Sequence, residues 1–133
     1  MKARLVAALL IGSLAATAAA GDQVDRRAHE DYLLHCMGCH GEQGRGLAGK
    51  VPSFPDDLGR LLTSPGGREF IQRVPGVTQS ALPSDRLAAV LNWIVRNFTP
   101  AGVSERIAPF TAAEVERLRT QTLMEVARER PEL

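Results

Sequence analysis

Cys36-Met37-Gly38-Cys39-His40 is the stretch on which the reading of this chain turns. Two thiols separated by two residues can each add to one vinyl group of a haem, and the histidine that follows then lies under the iron. Other uses of the same residues fit less well. A thioredoxin-like redox pair needs a surrounding βαβ pattern, which is missing. A zinc site needs four ligands, and no second Cys or His cluster exists, since His29 and His35 fall on the same N-terminal helical stretch. A structural disulfide, the ordinary use of a cysteine pair in an oxidising compartment, leaves His40 and the glycine-rich sequel without a purpose. The motif therefore predicts one covalently bound haem c, anchored at Cys36 and Cys39, with His40 as the proximal iron ligand.

Upstream of the motif, Val24, Ala28 and Tyr32 recur every four residues among Asp25, Arg26, Arg27, Glu30 and Asp31, which predicts a helix over 22–40. Farther back, Lys2 and Arg4, the apolar run Leu5 to Leu14, and Ala18-Ala19-Ala20 before Gly21 have the order of a secretory leader, expected over residues 1–20. A retained span would need about 20 apolar residues, which this run reaches only by counting its alanine-rich tail. Export to a bacterial periplasm, with no transmembrane segment in the mature chain, is the expectation. The formal charge is +1, and losing Lys2 and Arg4 with the leader makes it −1. That balance argues against a nucleic-acid partner, which would demand a basic stripe to neutralise phosphates. One Trp, one Tyr and four Phe among 133 residues leave room for one small core that relies on aliphatic side chains or on an added group such as haem.

Downstream, Gly41 to Lys50 holds four glycines and Val51-Pro52-Ser53-Phe54-Pro55 cannot continue a helix, so an irregular wrapping loop is expected. Short helices are predicted over 56–63 and 68–74, the second bounded by Pro75-Gly76. The clearest helix spans 85–98, with Ser84 as its N-cap and Leu87, Val90, Leu91, Ile94 and Phe98 on one apolar face. A last helix begins after Thr111, whose spacing to Glu114 is that of a capping box, and is expected to run to about Arg130 with Val115, Leu118, Thr122 and Val126 as its stripe. Glu114 with Arg117 and Glu125 with Arg128 are expected as i,i+3 surface pairs. No segment alternates with period two for long enough to make a sheet. The fold class is all-α.

From Gly21 to about Phe98 the chain resembles a small bacterial class I c-type cytochrome. Tyr32 stands four residues before Cys36, where that family has an aromatic, and Ala28 stands where it often has glycine. Leu87-Ala88-Ala89-Val90-Leu91-Asn92-Trp93-Ile94 is similar to the family's C-terminal helix, with Trp93 at its aromatic position. The resemblance implies about four helices around one haem, a crossing at which Ala28 touches Trp93, and a role for Pro52, twelve residues after His40, whose carbonyl would accept the proximal imidazole N–H and set its basicity. It divides the chain into a leader (1–20), a haem domain (21–104) and a C-terminal amphipathic helical extension (105–133). The extension is expected to pack on the haem domain or, alternatively, to bind a partner.

At one place the resemblance fails. Where the family carries a methionine as sixth iron ligand, just before the last helix, this chain reads Ser80-Ala81-Leu82-Pro83-Ser84, and leucine has no lone pair to offer. An open or water-bound position beneath Leu82 is the first expectation; Met124 folding back from the extension is a second, and His29 or His35 a third. The family implies one-electron transfer with a redox partner such as a dehydrogenase, an oxidase or a small carrier, and no catalytic acid/base set can be singled out. Two alternatives stand beside it: a five-coordinate haem protein that binds small ligands or acts as a weak peroxidase, and a haem subunit of a larger dehydrogenase.

Overall fold

In a computed structural model, which describes residues 20–133, the chain is helical over 20–35 (α1). The expected leader lies outside the described residues except for Ala20. Ala28 and Tyr32 are buried in the core, as their spacing predicts, whereas Val24 is 55% exposed. Val24 lies at the rim of an open groove with Ala88, Asn92 and Phe110, so the buried stripe stops one turn short. After a break at Cys36, one further turn, Met37–His40 (α2), completes the helical stretch.

A glycine-rich loop then runs to Phe54–Leu58, a single π-helical turn with Pro55 in its first turn, where a missing N–H costs nothing. Gly59–Thr63 (α3), Gly67–Arg73 (α4) and Pro75–Thr78 (α5) follow. The helix over 67–73 ends before Pro75-Gly76, as expected, and Pro75 also opens the next one, its fixed φ suiting the first helical position. Ser84–Phe98 (α6) is the longest element after α1, with Leu87, Ala88, Val90, Leu91, Ile94 and Val95 buried. Ser84 is not its N-cap. Pro83 occupies that place in extended conformation, and the Ser84 hydroxyl donates to Glu116 instead.

Ala101–Ser104 (α7), Ala112–Leu118 (α8) and Val126–Glu129 (α9) complete the chain. Thr111 caps α8 as expected, its hydroxyl accepting from the Glu114 N–H at 3.2 Å. The helix stops at Leu118, well short of Arg130, because the next residues exchange helical bonds for tertiary ones. Leu123 N–H donates to the Arg73 carbonyl (2.9 Å), Arg73 donates to the Gln121 carbonyl (3.0 Å), and Thr122 bonds Thr78 (3.0 Å). Leu123 thereby enters a small cluster with Leu61 and Phe70.

The main core gathers Tyr32, Leu58, Leu82, Leu87, Val90, Leu91, Ile94, Phe110 and Val115, so α1, α6 and α8 share one apolar centre. The Asn92 side chain donates to the Phe110 carbonyl (2.9 Å) and accepts from its N–H (2.7 Å), fastening the 105–111 segment to α6. The expected Glu114–Arg117 pair does not form. Glu114 is held by both Arg68 nitrogens at 2.7 Å and by Gln72 at 2.9 Å, across the fold, while Glu125–Arg128 forms at 2.8 Å on the surface. Among the described residues there is no β-strand, only the isolated bridge Leu47–Val51.

The hydrogen bonds from Arg68 hold the Glu114 carboxyl below its ordinary value of 4.5, against the opposing effect of burial. A depressed folded-state value stabilises the fold above the unfolded value, and that stabilisation disappears as pH falls toward the folded one. Glu114→Gln is therefore expected to lose about 1–3 kcal/mol at pH 7 and progressively less below about pH 4.5. Urea midpoints of both proteins across pH 3 to 7 measure this; a gap that stays constant over the range would contradict it.

Candidate functional site

The motif sits on one tightened turn. Cys36 N–H still bonds back to the Tyr32 carbonyl (2.9 Å), Cys39 and His40 N–H both converge on the Cys36 carbonyl (3.2 and 3.1 Å), and Gly41 N–H closes the turn on Met37 (2.7 Å). Cys36, Cys39 and His40 are thereby brought together by local helix geometry alone. The two thiols are free, not joined to each other, with Cys36 half-buried and Cys39 exposed. Burial, and then the nearby negative charges of Asp31 and Cys39, push the Cys36 thiol up to about 11.

The His40 ring stacks on Phe54 with centroids 4.1 Å apart. Burial lowers its pKa, and the Pro52 backbone beside it opposes that shift. Its Nδ1 is fully buried and yet makes no hydrogen bond of good geometry, to Pro52 or to any other group. Burial thus favours a neutral imidazole, which keeps one nitrogen lone pair for a metal.

Gly46 is what lets Pro52 approach. Its N–H donates to the His40 carbonyl (2.8 Å), and with φ +65 a Cβ at this position would stand 2.2 Å from the Val51 carbonyl oxygen and 2.6 Å from that of Pro52. Gly44, at φ +67, is crowded likewise by the rings of Phe54 and Phe98. Any side chain would push the loop off the motif. Neither glycine is marked as functional by its sequence; the sole signal is the density of glycines directly after His40.

Tyr32 supports the same turn from below. Its hydroxyl donates to the Gly41 carbonyl at 2.5 Å, and burial, then the neighbouring Cys36, pushes its pKa up to about 12. Its ring lies 5.2 Å from Trp93 and 5.4 Å from Phe98, and Phe98 lies 5.8 Å from Phe54. Trp93 meets α1 at Tyr32 and at His29, on which it stacks at 4.9 Å; Ala28 is buried on the same helix. His29 is therefore occupied as a packing partner.

Leu82, in the segment before α6, is only 4% exposed and belongs to the apolar cluster against which Cys36 and Met37 pack. Next to it a groove of about 360 Å³ runs between Leu34-His35 and the Pro75–Ala81 stretch. Met124 lies outside that cluster, 88% exposed on the irregular segment between α8 and α9.

Among the described residues no three His, Cys, Asp or Glu side chains are placed to share a metal ion, Cys36, Cys39 and His40 included. A metal held by side chains alone, as in a zinc site, has no donor set here. What the turn does offer is two free thiols and one half-buried imidazole whose burial favours the neutral form. This fits a porphyrin, which brings four nitrogens of its own and asks the chain only for covalent anchors and an axial ligand.

Two relatives match. The chain is 31% identical over 141 residues to a cytochrome c-552 of Thermus thermophilus, an alignment covering 92% of this chain and 90% of that protein. It is also 31% identical over 106 residues to another Thermus thermophilus cytochrome c-552, covering 66% of this chain and 81% of the relative. No family model and no solved structure matches.

Proposed function

The chain belongs to the class I c-type cytochromes, and from that premise we propose that it binds one haem covalently through Cys36 and Cys39, with His40 as proximal ligand, and passes single electrons between redox-partner proteins in the periplasm. The observation that carries this is the single turn holding two free thiols beside a half-buried imidazole whose burial favours the neutral form. When bound, haem supplies an iron that cycles between ferric and ferrous states. The chain's own residues do the rest. Cys36 and Cys39 anchor, and His40 turns a ring nitrogen to the metal. Pro52, whose backbone lies beside the ring, is the acceptor we assign to the other imidazole N–H, a bond that would orient the ring and raise its basicity. The rings of Tyr32, Phe54, Trp93 and Phe98 keep water from the proximal side. Export rests on the leader-like order of residues 1–20; no helix among the described residues is long and apolar enough to cross a membrane.

The test is the exported protein itself. One haem per chain is expected to stay with the polypeptide in acidified organic solvent and to give a pyridine haemochrome spectrum of the c type. A colourless product, or pigment that extracts, would end this reading.

Leu82 and Met124 favour a second, finer reading in which the sixth position is open or weakly held. The residue nearest the family's distal methionine in sequence is a buried leucine, and Met124 projects into solvent. Met/His ligation raises reduction potential, whereas an open position admits small ligands. The ferrous protein is accordingly expected to bind CO and the ferric protein to be high-spin; a near-infrared methionine-to-iron band would contradict both.

A further inference from the structure

The segment between α5 and α6 that carries Leu82 is irregular, and its backbone joins the flanking helices only at its ends, where the Ser80 N–H reaches the Val77 carbonyl (3.2 Å) and the Pro83 carbonyl accepts from Leu87 (2.9 Å). It is held from outside. Arg119, at the end of α8, sends Nη1 to the Leu82 carbonyl (2.8 Å) and the Ser84 hydroxyl (3.3 Å), and Nη2 to the Ser80 carbonyl (2.5 Å). The same Ser84 hydroxyl donates to Glu116, one turn earlier on α8. Within the segment, the Leu82 N–H is taken by the Ser80 hydroxyl at 3.2 Å. Arg119 is itself fixed, because its N–H closes α8 on the Val115 carbonyl (2.9 Å) and Val115 and Leu118 are buried.

We propose that Arg119 is a positioning residue: it straps the 80–84 segment to the C-terminal extension, keeps Leu82 in the apolar core against which Cys36 and Met37 pack, and so sets how readily small molecules reach the sixth position of the haem. A guanidinium suits this task because its rigid fork can hold two carbonyls at once, which an ammonium on a flexible stem does poorly. The strap also gives the extension a role at the site, although its own residues carry no haem chemistry. This inference rests on the proposed function, since access matters only if Cys36, Cys39 and His40 hold the haem.

The experiment compares exported wild type, Arg119→Gln and Arg119→Lys. Haem content is measured first, by haemochrome and intact mass, then amide exchange over residues 79–84 and CO association with the ferrous protein. R119Q is expected to carry the same haem per chain, to exchange the Ala81 and Leu82 amides about tenfold faster as the three charge-assisted hydrogen bonds to the segment are lost, and to bind CO faster by a similar factor. R119K, which keeps the charge and most of the stem, should fall between, and it carries the test if R119Q fails to accumulate. Haem-bearing R119Q and R119K with wild-type exchange and CO rates would overturn the strap while leaving the proposed function intact. A wild-type chain without covalent haem would overturn both.

Discussion

Cys36→Ala/Cys39→Ala is expected to emerge from expression with no pigment that survives acidified organic solvent, against one haem per chain in the wild type. The reason is chemical: each thioether needs its own sulfur, and both sulfurs stand on one turn whose hydrogen bonds do not involve the side chains. The single variants separate the two anchors. Either one leaves a vinyl group unreacted, so its haemochrome band should move to longer wavelength while the pigment stays bound. His40→Ala should keep both thioethers and lose the proximal ligand, changing the ferric and ferrous spectra without releasing the haem. Full, extraction-resistant pigment in the double variant would refute the assignment.

Removing the Arg86 side chain should cost about 3–5 kcal/mol of stability. Its guanidinium grips Asp31 through two nitrogens, and Asp31 is only 1% exposed, on α1 immediately before Tyr32. Arg86→Ala leaves that carboxylate in the core without its partner, and the cost of an uncompensated buried charge exceeds the worth of the pair itself. The double variant Asp31→Asn/Arg86→Ala should therefore be more stable than Arg86→Ala alone, since the amide removes the stranded charge. Urea unfolding of the wild type, Arg86→Ala, Asp31→Asn and the double variant reads the coupling directly. A single-variant loss below about 1 kcal/mol would mean that Asp31 is rescued by water or by a local shift.

The extension shows how far pattern reading goes and where it stops. The Thr111 cap and the burial of Val115 and Leu118 were legible because each depends on neighbours within a turn. The expected continuation to Arg130 was not, because nothing in the spacing of Thr122 and Val126 reveals that Leu123 finds a better place between Leu61 and Phe70. Glu114 makes the same point. Its helix neighbour Arg117 offered a screened surface pair, and Arg68 offered a half-buried bidentate one with Gln72 alongside, so the longer-range partner won. Ser84 lost its expected role for a related reason: whether a residue caps a helix or sits inside its first turn depends on the backbone before it.

The site itself divides along the same line. Read alone, the chain already brings together Cys36, Cys39 and His40, the proposed anchors and proximal ligand, because the spacing Cys36-x-x-Cys39-His40 places all three on one helical turn whatever surrounds it, and the 3.6-residue period marks the apolar faces of α1 and α6. Only tertiary structure decides that Gly46 clears a path for Pro52, that Arg86 neutralises Asp31 from 55 positions away, and that Arg119 reaches the carbonyl of Leu82 from 37 positions away. Periodicity reports which face of an element is apolar. It says nothing of which distant charge will meet a buried one, because desolvated ions and unpaired carbonyls choose their partners only once the core has closed around them.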